Sequence, residues 1–472
     1  MNKILELFEK RYKIIFVIMI FIISAICLVN LGDFAVQDWD EARHGVNAYE
    51  MYKNKEYIIT TYNYQNDYWN LKPPLSPLII NLFFNLFGKS IFTFRLYSAI
   101  SIILLAIIIG LFMKDRYGKV ESIVALILFA ICKPIFLRHV GRYGDADGLF
   151  LLLSSISLLS MFYIKENKKY LYISGFFFSL AFLTKSWHAL FIVAIGGLYL
   201  LLSGEIKKIK FKQYILFIAS FVIPIGSWIL LRVKKDGFKF LQEMVKYDLL
   251  KRTSTGIEGN GQDCLFYIKH MIVEFSISSL IIILLLILIK DYKKILNKSN
   301  LPYLLWIIVP FVLFTVSKTK LDWYIVPIYV PIILLSTTII VSLFRNENRI
   351  FSKTIFLILI VSIIINGTML TKTIMNPDNN NVQDFIRQIS NEENVQSRNT
   401  YISIDTDKWS QSQLFVLELY LDGKSQDGGV EGFINDNSNS LLIVKDDMYK
   451  ADETLKNYKK ICEDNGLVAL TK

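Results

Sequence analysis

Ile14-Ile15-Phe16-Val17-Ile18-Met19-Ile20-Phe21-Ile22-Ile23-Ser24-Ala25-Ile26-Cys27-Leu28-Val29, followed shortly by Gln37-Asp38-Trp39-Asp40-Glu41-Ala42-Arg43-His44-Gly45, is where the fold is decided. The first segment carries no charge and is long enough to cross a bilayer as a helix. It follows a basic start, Lys3, Lys10, Arg11 and Lys13. A cleaved leader would have a shorter apolar core and a small-residue cleavage site, so the reading is a retained first span. The second segment places three carboxylates, an arginine and a histidine directly after that span. Such a cluster is either a solvated cap on a helix, with Asp40 near its N-terminus, or a functional loop at the bilayer surface.

Working outward, the same apolar pattern recurs. At about 20 residues per span, the candidate spans are roughly 13–31, 91–113, 119–137, 147–164, 170–185, 188–203, 211–232, 267–290, 301–317, 323–344 and 351–371. The segment Leu75–Phe87, opened by Pro73, Pro74 and Pro77, is short and reads as a re-entrant or interfacial helix. With the N-terminus inside, the inside loops are Lys114–Lys119, Lys165–Lys169, Glu205–Lys212, Asp291–Lys298 and Arg345–Arg349, all net basic, as the positive-inside rule requires. The expected fold is an α-helical polytopic membrane protein of about 11 to 13 spans. The expected location is the cytoplasmic membrane, multi-pass, with residues 1–375 as the membrane domain and 32–90 as its first outside loop.

Composition agrees with this reading. Hydrophobic residues make up 53% of the 472, and mean hydropathy is +0.41. Net charge is +11, but residues 376–472 carry −7 and the remainder +18. The cations sit in short loops between apolar runs, where they set topology and meet anionic lipid; this makes nucleic-acid binding a poor explanation. Residues 376–472 read as a small C-terminal α/β domain on the outside. Val382–Ser390 has helical spacing, Tyr401–Ile404, Leu414–Leu419 and Leu441–Val444 read as strands, and Ala451–Glu463 as an amphipathic helix. Cys27, Cys132, Cys264 and Cys462 have no metal-ligand spacing.

Chemistry-bearing residues gather on the expected outside face. Lys72, in Asn70-Leu71-Lys72-Pro73-Pro74-Leu75, is either a snorkelling anchor or the counter-charge of a lipid-linked phosphate. The loop Arg138-His139-Val140-Gly141-Arg142-Tyr143-Gly144-Asp145-Ala146-Asp147 puts Asp145 and Asp147 at or just inside the membrane. A carboxylate there is costly and points to function. Lys185 and Lys320 lie at span ends on the same face, against the positive-inside bias, as expected if an anionic ligand binds there. His44, His139, Asp38 and Asp40 match no strong metal template.

Six blocks, in order over about residues 10–340, resemble the GT-C glycosyltransferases of the protein-mannosyltransferase and aminoarabinose-transferase (ArnT-like) group. They are Asp40-Glu41-Ala42-Arg43, Lys72-Pro73-Pro74-Leu75, Phe87-Gly88 with Phe94-Arg95-Leu96, Gly141-Arg142-Tyr143, Leu183-Thr184-Lys185, and Ser317-Lys318-Thr319-Lys320 with Trp323-Tyr324. The chain departs from the pattern at Leu71, where relatives carry an acid, and at Gly144, which separates the Arg-Tyr pair from Asp145. The resemblance implies a polyprenyl-phosphate-linked sugar donor, membrane lipid around it, and a lipid, glycan or protein acceptor, with no cofactor required. It implies catalytic roles for Asp40, Glu41 and Asp145. It implies donor-phosphate contacts from Arg43, Lys72, Arg142, Lys320 and Tyr324, with Asp147, Arg138 and Lys185 as further candidates. The competing reading is a transporter or flippase of lipid-linked sugars. Transporters carry repeats and mid-span polar groups, whereas here the polar residues collect on one face.

Overall fold

Tyr12–Leu28 forms the first long apolar helix in the computed structural model, which describes residues 2–346, 349–392, 395–404 and 410–472. A shorter helix, Lys3–Lys10, precedes it and is bent from it by 89°. Among the described residues, five helices are long and apolar enough to cross a membrane: Ile91–Arg116, Lys169–Leu202, Phe211–Asp236, Asp322–Arg345 and Ile350–Met375. The number rises to seven if this first pair and Phe266–Val273 with Phe275–Lys290, bent by 100°, each count as one span. Asp147–Met161 and Leu301–Val316 are apolar but shorter. The expected span at 119–137 is broken into helices Lys119–Ala130 and Lys133–Phe136, and the two expected spans at 170–203 form one stretch, Lys169–Leu202, broken at Ser186–Ala189. The inside loop Arg345–Arg349 includes residues 347–348, outside the described ones.

The chain divides into two compact units. The first comprises residues up to Val29, Leu71–Ser76 and Ser98–Met375. Its helices differ in how they are covered. Asp322–Arg345 is largely buried, whereas Phe211–Asp236 exposes Phe211, Ile215, Ile223 and Leu230 around its surface. A helix apolar on all sides and uncovered by protein requires a hydrocarbon solvent. Small residues set close approaches. A Cβ at Gly148 would lie 2.1 Å from Ser98 Oγ, and that hydroxyl donates to the Val140 carbonyl at 2.5 Å. Glu121 in the first turn of one helix pairs at 2.7 Å with Arg345 in the last turn of another, each at the helix end its charge favours.

The second unit comprises Asn30–Asn70, Pro77–Tyr97 and Asn376–Lys472. The C-terminal residues therefore share a compact unit with most of the first loop. Strands β1 (Thr61–Tyr62) and β2 (Gln65–Asn66) form a small antiparallel hairpin. A five-stranded mixed sheet has the order β4-β3-β5-β7-β6, built from β3 (Asn399–Ser403), β4 (Lys424–Gln426), β5 (Leu441–Lys445), β6 (Lys459–Asp464) and β7 (Leu467–Thr471). β3 runs parallel to both β4 and β5, with helices Gln411–Leu421 and Gly429–Asn435 in the connections, while β7 is antiparallel to β5 and β6. Tyr401, Phe433, Leu442, Val444, Leu455, Val468 and Leu470 form a core on this sheet.

Two local expectations fail here. Leu414–Leu419 is not a strand but the middle of helix Gln411–Leu421; a short apolar run has no period of its own, and packing chose the helix. Ala451–Glu463 is not one amphipathic helix: the helix ends at Ala451 and β6 begins at Lys459. The overlooked signal is Asn465-Gly466, both at positive φ (46° and 75°), the two-residue turn that joins β6 to β7.

Candidate active site

The first-loop acids sit on helix Asp40–Asn54 of the second unit. Trp39 precedes it at φ 70°, a conformation costly for a bulky residue and a mark of a site held by its surroundings. Asp40 is the first helical residue and is half-buried. Glu41 is fully buried, and its two oxygens receive Arg95 Nε at 2.7 Å, Arg95 Nη2 at 3.0 Å and the Gln37 backbone N–H at 2.9 Å. The same guanidinium donates to the carbonyls of Leu31, Phe34 and Ala35. Glu41 is thus the partner of a buried arginine that ties down residues 31–37. Arg95 stood in the sequence as a charge inside an apolar run, which is itself a signal of a committed partner.

Two further ties fix this loop. Val36 exchanges a pair of hydrogen bonds with the Gln383 side chain, at 2.8 and 2.9 Å. Asp38 Oδ1 accepts from the Ser412 backbone N–H and the Ser410 hydroxyl, at 2.8 and 2.9 Å, so it caps helix Gln411–Leu421. Arg43 is committed elsewhere than to a phosphate. It forms a two-pronged pair with Asp67 (3.0 and 2.8 Å) and lies over the Tyr62 and Trp69 rings. Burial alone would raise the Asp67 carboxyl; hydrogen bonds from Arg43 and Asn47 outweigh it and hold the group below the usual carboxylate range. These contacts make Arg43 an anchor of the first loop.

In the first unit Arg142 is buried and donates to the carbonyls of Ile26 and Val29, at 2.6 and 2.7 Å. It satisfies the carbonyls that the first span leaves open at its C-terminal end. Asp145 is buried and pairs with His139, whose ring stacks on Trp323 at 3.9 Å. Asp147, in the first turn of Asp147–Met161, pairs with Lys185. Arg138 bonds Asp322 at 2.6 Å and Glu274 at 3.3 Å. Lys320 is buried, and its ammonium donates to the Gln262 and Ser317 carbonyls at 3.0 and 2.6 Å. Burial, with Lys318 adding to it, lowers its pKa. Lys320 thereby closes the loop around 253–262, which also pairs along its backbone with Lys318 and Thr319.

A cationic group does assemble around the break at Ser186–Ala189. Lys185 lies over the Tyr324 ring at 5.0 Å. Arg252 donates to the Tyr324 hydroxyl at 2.9 Å and pairs with Asp248 at 3.3 Å, and Asp248 accepts from Ser186 at 2.7 Å. The His188 ring packs against Tyr324 at 4.6 Å, and Lys72, Lys185 and Arg252 all act on it electrostatically. Arg252 ends a π-helical stretch, Met244–Lys251, a distortion common at functional sites. The sequence places Arg252 in a long outside loop, in a cationic segment suited to covering a lipid phosphate; its meeting with Tyr324 is a tertiary fact. Among the described residues no group of three or more His, Cys, Asp or Glu has metal-holding geometry.

The fold defines the class: a polytopic membrane protein of the GT-C fold. Residues 71–228 match the family model described as dolichyl-phosphate-mannose-protein mannosyltransferase. The whole chain is similar in fold to ArnT from Cupriavidus metallidurans, with a TM-score of 0.70 at 14% identity over 98% of each chain in the apo state. Against the undecaprenyl-phosphate-bound form the TM-score is 0.68 over 96% of this chain and 97% of that one, again at 14% identity. Within the class, the resemblance to the protein-mannosyltransferase and aminoarabinose-transferase group holds in sequence also. An undecaprenyl phosphate-alpha-4-amino-4-deoxy-L-arabinose arabinosyl transferase of Shewanella sediminis is 22% identical over 68% of this chain. The match spans 59% of that relative's length, less than two thirds of it. An uncharacterized protein of Aquifex aeolicus is 27% identical over 64% of this chain and 68% of its own. These likenesses support glycosyltransferase activity.

Proposed function

We propose that this chain is an integral membrane glycosyltransferase that moves a sugar from a polyprenyl-phosphate donor to a lipid acceptor, or to a glycan or protein, on the outer face of the cytoplasmic membrane. The observation that carries the reading is the gathering of Lys72, Lys185 and Arg252, the last two with Asp147 and Asp248 as acidic partners, around Tyr324 and His188 in a protein otherwise built for hydrocarbon. The leaving group of such a reaction is a lipid phosphate that departs as an anion, so it needs cations rather than a general acid. Lys72 and Arg252 hold the phosphate, with Tyr324 orienting Arg252 and Lys185 adding positive charge. Asp40 takes the proton of an attacking acceptor hydroxyl. A single in-line displacement inverts the anomeric centre, and no metal or cofactor enters the scheme. Asp145 remains a second candidate carboxylate, held by His139.

In this reading the membrane domain, 1–375, crosses about 11 to 13 times with the N-terminus inside, and residues 376–472 lie outside. The test is transfer by purified protein from a panel of undecaprenyl-phosphate-linked sugars, with product identified by mass spectrometry. Asp40→Asn is expected to abolish transfer at normal yield of folded protein. Near-normal turnover in that variant rejects Asp40 as the base, and absence of transfer from every donor by the parent protein rejects the reading.

A further inference from the structure

Glu50, on helix Asp40–Asn54, and Glu418, on helix Gln411–Leu421, are far apart in the chain and both fully buried. Their helices pack closely: a Cβ at Gly45 would lie 2.8 Å from the Phe415 ring, which in turn packs on Phe94 at 4.7 Å. Glu50 Oε1 accepts the Tyr64 backbone N–H at 2.9 Å. Among the described residues no donor reaches Glu50 Oε2 or either oxygen of Glu418. Thr61 and the Asn63 backbone also bond toward Glu50 and favour its charged form, while the Glu50 and Glu418 carboxyls act on each other across the packed helices. Two carboxylates are both acceptors, so that arrangement makes a bond only if one carries a proton. Left ionised, two buried charges of like sign would cost far more than a shared proton.

The surrounding charges favour the same state. Tyr49, Tyr64 and Asp422 crowd the pair, and Asp422 opposes ionisation of Glu418. Nearby cations are committed elsewhere. Lys53 pairs with Asp422, while Lys424 lies over the Tyr64 ring, Lys89 over the Tyr49 ring and Arg387 over the Tyr420 ring. Burial is the first cause raising both carboxyls, and the effect is strongest at Glu418.

We propose that Glu50 and Glu418 share a proton and form an acid-stabilised clasp that fastens the helix carrying Asp40 to the C-terminal α/β structure. The sign follows from linkage. A carboxyl raised by folding contributes its full stability below the unfolded value, about 4.3 for Glu, and loses it as pH rises through the folded value. The second unit therefore loosens as the medium becomes alkaline.

The experiment uses full-length protein in detergent or lipid nanodiscs and needs no glycosyl-transfer assay, so its outcome is independent of the function proposed above. Thermal unfolding is followed from about pH 5 to about pH 9, a window that brackets a raised carboxyl. In parallel, the infrared carbonyl band of a protonated carboxylic acid is read near neutral pH as the difference between parent and Glu418→Gln. The parent is expected to lose several degrees of melting temperature toward alkaline pH. Glu418→Gln, a neutral group of the same shape, should be folded, lack the difference band and lose most of that pH dependence. Glu50→Gln serves as the second variant with the same expectation. Parallel pH curves for parent and variants, no protonated-acid band in the parent, or failure of both neutral variants to fold would each overturn the clasp.

Discussion

Glu41 carries the sharpest single prediction, because its neighbours distinguish a structural carboxylate from a nucleophile. Glu41→Gln keeps the shape and one acceptor but leaves the Arg95 guanidinium without its counter-charge. That guanidinium is fully buried and holds the Leu31, Phe34 and Ala35 carbonyls as well as Glu41. Removing one partner of a buried ion pair costs about 3–5 kcal/mol, since the other charge is stranded in low dielectric. The retained amide oxygen places Glu41→Gln near the lower end, at about 3 kcal/mol. For a cooperative unit of this size about 2–4 °C is lost per kcal/mol, so the melting temperature should fall by about 6–12 °C. The assay is thermal unfolding of the purified protein in detergent, paired with digestion by a protease that reports on residues 31–45. A second arm, Arg95→Met with Glu41→Leu, removes both charges and should recover part of the lost stability. A Glu41→Gln protein as stable as the parent and yet inactive would refute the reasoning and return Glu41 to the catalytic group.

Other outcomes follow from the site. Arg252→Gln should weaken donor binding by about tenfold or more, the loss of one charge-assisted contact to a phosphate, with Lys72→Ala behaving alike; unchanged donor affinity in both, measured by competition with undecaprenyl phosphate, would remove the cationic group from the mechanism. The Asp67 carboxyl is held below its unfolded value, so its contribution to stability is present above about pH 4 and is lost as acid protonates it. Asp67→Asn should therefore flatten the acid limb of the melting curve; an unchanged acid limb would show that the Arg43–Asp67 pair adds nothing. Protease added to intact spheroplasts should remove residues 376–472, whereas protection until lysis would reverse the proposed orientation.

The candidate site was legible in part, for identifiable reasons. Asp40, Lys72, Lys185 and Tyr324 stand out in the sequence because charged or hydroxyl-bearing residues at the ends of apolar runs are costly and therefore few. Their neighbours in the chain stand out as well, but the partners they hold in the structure were not legible. Glu41, Arg43 and Arg142 carry the right charge for phosphate chemistry, and proximity in sequence cannot say whether a charge faces a ligand or a buried partner. The partners, Arg95, Asp67 and the carbonyls of Ile26 and Val29, lie between 24 and 116 residues away. Arg252 lies in a cationic segment, 246–252, suited to covering a lipid phosphate, but its meeting with Tyr324 spans 72 residues and is not legible in the sequence.

By itself the sequence determined that this chain lives in a membrane. Hydrocarbon admits only long uncharged runs that satisfy their own backbone, and that demand is local, so it is written in consecutive residues. It also determined the strands Asn399–Ser403 and Leu441–Lys445, where a β-rich apolar run sits between polar breaks. Tertiary structure alone decided that Leu414–Leu419 is helix, because six apolar residues satisfy either period and only the partner surface discriminates. It alone decided that residues 376–472 share a compact unit with the first loop, through Gln383 on Val36, Asp38 at the head of a distant helix, and Glu418 facing Glu50. Such ties depend on burial and on side chains converging from remote positions, and burial is a property of the folded chain that no window of sequence contains.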